Sequence, residues 1–194
     1  MRIDIRSLGG ANVLAGELNG KRLFGKLLNA TVQEPLEPEA MFFDFVRVKV
    51  ATASYLRESI LKLRDVVRSE RSNFYPVVAN ANADIRAELR VLVVGQRSDV
   101  LIACDLKGLA TVKNVTLIGD LEPVQRKTFD LVRKMGETDA SELMHIYGSA
   151  EQTTRTTAWN NRLASLTSLG LIVEVSQGRA KRYKPLFKEL NHGL

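Results

Sequence analysis

Through the first 118 residues, short apolar runs alternate with segments of helical periodicity, and this alternation constrains the fold more than any other feature. Met41-Phe42-Phe43-Asp44-Phe45-Val46 is nearly continuous in apolar character, the pattern of a strand covered on both faces inside an α/β sheet. A short strand is expected at residues 2–5. A helix is expected at residues 13–28, with Val13, Leu14, Leu18, Leu23, Phe24, Leu27 and Leu28 as core candidates and Gly16, Gly20 and Gly25 as weak points. Residues 34–39 form a Pro-punctuated loop. In a second helix at 52–67, Leu56, Ile60, Leu63 and Val67 keep the 3.6-residue period, while Arg57, Lys62, Arg64 and Arg68 are expected to face outward. A third strand at 74–79, broken at Pro76, precedes a helix at 84–94. Two further strands, 100–104 and 115–118, suggest a hairpin turned near Lys107-Gly108. The sum is an α/β layer with short connections.

The chain's 194 residues suffice for one large domain or two small ones. At 45% hydrophobic and 26% charged, the composition is that of a soluble globular protein. MRIDIRSLGG has no apolar run after its charges and does not read as a signal peptide, and no stretch approaches the ~20 apolar residues of a membrane helix. A single cysteine, Cys104, excludes an internal disulfide framework and fits a reducing cytoplasm, the expected location. Its context, VLIAC, is that of a buried thiol.

Gly119-Asp120-Leu121-Glu122-Pro123 marks a boundary, since proline fits a first helical turn. The expected domains are 1–120 and 121–194. Beyond the joint, a helix at 124–135 turns Phe129, Val132 and Met135 inward and stops at Gly136. Asp139 and Glu142 have capping-box spacing and open a short helix through Tyr147, with Leu143 and Ile146 buried. The stretch SAEQTTRTTAWNNRLASLTSLG then reads as helix from a cap at Ser149 through Leu169, closed at Gly170. Trp159, Leu163 and Leu166 share one side; Thr153, Thr154, Thr157, Asn160, Asn161 and Ser168 lie on or near the other. Residues 171–175 and 179–183 form a hairpin about Ser176-Gln177-Gly178.

The net charge is +6, with a pI near 9.6. Residues 122–194 carry 11 Lys/Arg against 8 Asp/Glu, a net +3 equal to that of the much longer residues 1–121. Within 149–184, Arg155, Arg162, Arg179, Lys181, Arg182 and Lys184 face only Glu151 and Glu174. Such a local basic surface suits nucleic acid; a solvated charged face is the plainer alternative.

Helix, helix, turn, helix, strand and wing strand over residues 123–186 resemble a bacterial winged helix-turn-helix. The resemblance implies double-stranded DNA as partner, with Thr154, Thr156, Thr157, Asn160 and Asn161 toward base edges in the major groove. It further implies Arg155, Arg162, Arg179, Lys181 and Arg182 at phosphates or the adjacent minor groove, and a homodimer matching symmetric half-sites. Trp159 is expected in the core. Modules of this kind also serve as protein-docking or dimerisation surfaces, and that alternative stays open.

Within residues 10–118, "VLAGELNGKRLFGKLL" followed by "MFFDFVRVKVATASYLRESI" resembles a STAS-like domain, a small α/β domain related to the anti-anti-sigma group. The likeness makes Asp44 the acidic residue of the strand and places Thr52 and Ser54 where such domains carry a switch hydroxyl. The Asp-Ser-Ser/Thr-Gly loop of that group is absent, and Val50-Ala51-Thr52-Ala53-Ser54 stands instead. Thr52 and Ser54 are thus candidate phosphosites at a helix N-terminus, where a phosphate is stabilised. Thr52 as a simple helix cap is the structural alternative.

The fold class expected is an α/β STAS-like domain joined to a winged helix-turn-helix. The function expected is transcriptional regulation, with the first domain sensing a signal or partner, and the alternative is partner switching of the anti-anti-sigma type. No catalytic residues, cofactor or metal are expected. The histidines, His145 and His192, lack placed partners, no GxxxxGK[ST] occurs, and "SLGGANVLAG" lacks GxGxxG spacing.

Overall fold

The computed structural model describes residues 1–94, 99–108, 111–177 and 180–190. The chain divides into two compact units, residues 1–120 with Leu190 among the described residues, and residues 121–189. The architecture is mixed α/β with a parallel-rich sheet.

In the first unit, β1 (Arg2–Asp4), β3 (Glu39–Asp44), β5 (Phe74–Ala79) and β6 (Val100–Lys107) run parallel, and β7 (Thr111–Gly119) closes the edge antiparallel to β6. The order β1-β3-β5-β6-β7 steps in one direction across the sheet. Met41, Phe43, Phe74, Val78, Leu101 and Ala103 fall on one face by two-residue alternation. They share the core with Leu23, Leu27, Leu56, Ile60, Leu63, Ile85 and Leu89 of the helices.

The expected strand and helix order holds here, with local corrections. The segment predicted as one helix from 13 divides into β2 (Val13–Leu14) and α2 (Glu17–Ala30), preceded by a one-turn α1 (Ile5–Gly9). Gly16, at φ 84°, sits at the break, and Val13 and Leu18 are exposed rather than core. β2 pairs only with the two residues of β4 (Val50–Ala51), a contact that no local pattern announces. β5 is not broken at Pro76: its ladder with β6 starts at Val77, after the residue that lacks an N–H. The helix after β4 comprises α3 (Ala53–Leu56), a π-helical turn Arg57–Leu61, and α4 (Lys62–Ser69). Arg64 is buried rather than outward because its guanidinium pairs with Asp99, and Arg68 is half-buried because it donates to the carbonyls of Ser72 and Phe74. α5 (Ala83–Val94) completes the unit.

The second unit holds α6 (Pro123–Met135), α7 (Ala140–Tyr147), α8 (Thr156–Ser168) and the antiparallel hairpin β8 (Ile172–Gln177) and β9 (Ala180–Pro185). Phe129, Val132, Leu143, Trp159, Leu163, Leu166 and Ile172 are fully buried, whereas Ile146, expected in the core, is exposed. Thr138, between α6 and α7, exchanges both backbone hydrogen bonds with Tyr183, so the interhelical loop adds a bridge to the hairpin edge.

Candidate nucleic-acid interface

α7 is capped by Asp139, whose carboxylate accepts from the backbone N–H of Ser141 and Glu142 at 2.8 and 2.9 Å. The helix predicted from Ser149 starts seven residues later, at Thr156. Residues 149–152 form a turn instead, with Gln152 at φ 48° and Thr153 N–H donating to the Gly148 carbonyl at 2.8 Å. Trp159 holds that turn, because its buried Nε1–H donates to the Thr153 carbonyl at 2.8 Å. Thr153, expected near the outer side, is therefore buried.

Of the residues expected at base edges, Thr154, Thr157, Asn160 and Asn161 are exposed. Thr157, Asn160 and Asn161 stand together on the side of α8 away from Trp159. Thr156 is half-buried and its hydroxyl donates to Met144 Sδ at 3.2 Å. Arg155 occupies the N-cap position, exposed, before a helix whose first turn has no acid and no side-chain cap bond.

The remaining cations are engaged to different degrees. Arg162 donates to the Thr153 hydroxyl at 2.7 Å and lies 4.8 Å from the centre of the Trp159 ring, so its guanidinium braces the turn before the helix. Lys181 pairs with Glu174 at 2.8 Å across the hairpin. Arg182 contacts Glu142 at 2.7 Å, Glu137 at 3.1 Å and Asp139 at 3.2 Å, and the first two hydrogen bonds raise its pKa further. Glu142 thus serves Arg182. Arg179 lies outside the described residues, as does His192. Lys184 and Arg155 are exposed and have no ion pair among the described residues. The acids clustered on Arg182 were the element hardest to anticipate: Asp139 and Glu142 signal a cap by spacing, while their approach to β9 depends on the Thr138–Tyr183 bridge.

At the second candidate position, Thr52 is the N-cap residue of α3, but its hydroxyl does not bond the helix N–H groups. It accepts from Gly16 N–H at 3.4 Å and lies 3.2 Å from the Ser54 hydroxyl. Both residues are half-buried. Asp44 is buried and accepts from Arg2, Asn80 and the Val46 N–H, which makes it a brace at the end of β3.

Comparison with protein-family models, curated proteins and solved structures gave no match. Among the described residues, no group of His, Cys, Asp and Glu could hold a metal ion, and no helix is long and apolar enough to cross a membrane. His145 is exposed on α7, and burial pushes the Cys104 thiol up to about 12.

Proposed function

We propose that the protein is a bacterial transcriptional regulator that binds double-stranded DNA through a winged helix-turn-helix at residues 121–189, with a STAS-like first unit that senses a signal or partner. The observation that carries the reading is the exposed polar set Thr157, Asn160 and Asn161 on a helix whose opposite side is anchored by buried Trp159, Leu163 and Leu166, with exposed Thr154 and Arg155 just before its first turn. An asparagine in the major groove can bond adenine bidentately, worth about 1–3 kcal/mol against a wrong base. The uncapped start of α8 favours a phosphate, and Arg155 stands beside it. Lys184 adds a charge on β9 that has no ion pair among the described residues.

The test is selection of bound duplexes from random DNA, followed by mobility shifts at rising salt. Asn160→Ala with Asn161→Ala is expected to relax sequence preference, at about tenfold or more in affinity for the selected site. Arg155→Ala is expected to weaken all duplexes alike and to reduce the log–log salt slope by about one. Failure to enrich any sequence, with salt-insensitive retention, refutes the reading.

A second reading is favoured by one specific observation: Lys181 and Arg182, expected at phosphates, are compensated by four acids. Such compensation suits a docking module better than a phosphate contact, and with Thr52 and Ser54 at the start of α3 it fits an adaptor of the anti-anti-sigma type. Phosphorylation of Thr52 or Ser54 by a partner kinase, with no duplex enriched, would select it.

A further inference from the structure

The first unit contains a cleft that the DNA reading does not use. One wall comes from the end of α1 and from β2, with Leu8, Gly9 and Leu14; the other is a stripe of α2, with Asn19, Arg22, Leu23 and Lys26 at helical spacing. Its volume is about 560 Å³, inside the range of roughly 300–1,000 Å³ typical of small-molecule sites.

Tyr55, on α3, also lines the cleft. It is only 1% exposed, and its hydroxyl has no hydrogen-bond partner among the described residues. Buried hydroxyls are almost always partnered, because an unmet one loses its hydration with no return. Burial pushes this phenol up to about 12, so near neutral pH it is a proton-bearing donor. Gly9 lies so close that a Cβ there would stand 2.9 Å from the Tyr55 oxygen. The neighbouring Leu8 carbonyl accepts from the Lys26 ammonium at 2.8 Å. Leu8 and Gly9 therefore bring the Lys26 charge and the unmet Tyr55 donor to the same part of the cleft. Arg22, one turn earlier on α2, is exposed and has no ion pair among the described residues. Among the described residues no carboxylate lines the cleft, and Leu8, Leu14 and Leu23 supply apolar wall.

We propose that this cleft binds a small organic carboxylate. The carboxylate accepts from the Tyr55 hydroxyl beside Lys26 and Arg22, and the apolar body lies along the leucines. A hydrogen bond to an ionised acceptor is about twice as strong as a neutral one, so the acid is favoured over its uncharged analogue. The inference concerns the first unit alone and stands whether or not the second meets DNA.

The full chain is titrated with octanoate, octan-1-ol and inorganic phosphate, by calorimetry and by NMR of ring-labelled tyrosine. Octanoate is expected to bind saturably at one site and shift the Tyr55 ring, with octan-1-ol about tenfold weaker and phosphate inert. Tyr55→Phe should weaken octanoate about tenfold while leaving the free protein's melting temperature equal or higher, since the hydroxyl it removes has no partner among the described residues. Arg22→Gln with Lys26→Gln should weaken octanoate by a similar factor. No saturable octanoate binding, equal affinity for octan-1-ol, phosphate binding as tightly as octanoate, or unchanged affinity in either variant would each overturn the proposal.

Discussion

The indole of Trp159 fills the core of the second unit, and its Nε1–H reaches back to the Thr153 carbonyl, so one side chain fixes both α8 and the turn before it. Trp159→Phe keeps an aromatic ring but strands that carbonyl, a loss of about 1–3 kcal/mol. Urea denaturation measures it, and a cost below about 0.5 kcal/mol, the level of ordinary surface changes, would mean the bond does not hold the turn. A charged residue carries comparable weight in the first unit. Arg64 bonds both oxygens of Asp99 at 2.8 Å, with side-chain exposures of 10% and 15%. Removing one partner of a buried pair leaves the other charge uncompensated, so Arg64→Met is expected to cost about 3 kcal/mol. Arg182 meets three carboxylates, but its side chain is 23% exposed and two of its partners are 39% exposed. Solvent screens that cluster, and Arg182→Met should lower stability by less than Arg64→Met does.

Two glycines of α2 separate packing from propensity. A Cβ on Gly20 would stand 2.7 Å from the Tyr55 carbonyl and 3.0 Å from Glu58 Cβ, whereas one on Gly25 meets nothing within 4 Å. Alanine in a helix is worth about 0.8–1.0 kcal/mol over glycine. Gly25→Ala should therefore raise stability by nearly that much, while Gly20→Ala should lower it by about 1–3 kcal/mol through overpacking. Equal effects in thermal melts would mean α2 does not lie as close to α3 as the geometry has it. From sequence alone both glycines look like the same weakness, since the difference depends on an element more than thirty residues away. The same reason separates what the chain's pattern made legible from what it did not. The apolar runs of β3, β5 and β6 and the Trp159-Leu163-Leu166 spacing announce themselves locally, because burial selects their residues one by one. The two-residue β2–β4 pairing and the burial of Arg64 against Asp99 answer to distant partners, and the late start of α8 answers to the Trp159–Thr153 hydrogen bond, which no periodicity encodes. At the candidate interface, outward Thr157, Asn160 and Asn161 were readable from period; the capture of Arg162 by Thr153 and of Arg182 by acids was not.

Across the whole molecule, the two units share a sensitivity to alkali. Cys104 and Tyr55 in the first unit and Tyr183 in the second are each buried, and burial pushes all three up to about 12, from ordinary values of 9.0 for the thiol and 10.0 for the phenols. Glu174 adds to the rise at Tyr183. In the unfolded chain the thiol loses its proton near pH 9 and the phenols near pH 10, while the folded protein retains them. Between those values and about 12 the folded state binds more protons than the unfolded one, so unfolding free energy falls as pH rises. Below pH 9 the three groups are neutral in both states and contribute no slope. Each unit of difference amounts to about 1.36 kcal/mol at full expression, so a loss on the order of a few kcal/mol is expected between pH 8.5 and 11. Urea melts across that interval measure it, with Cys104→Ala as the control. The variant lacks the thiol and should lose less stability over the same interval, with the difference opening from pH 9 upward, before the phenols enter. Identical slopes for the variant and the parent chain would show that the Cys104 thiol ionises as freely in the fold as out of it, contrary to its complete burial in β6.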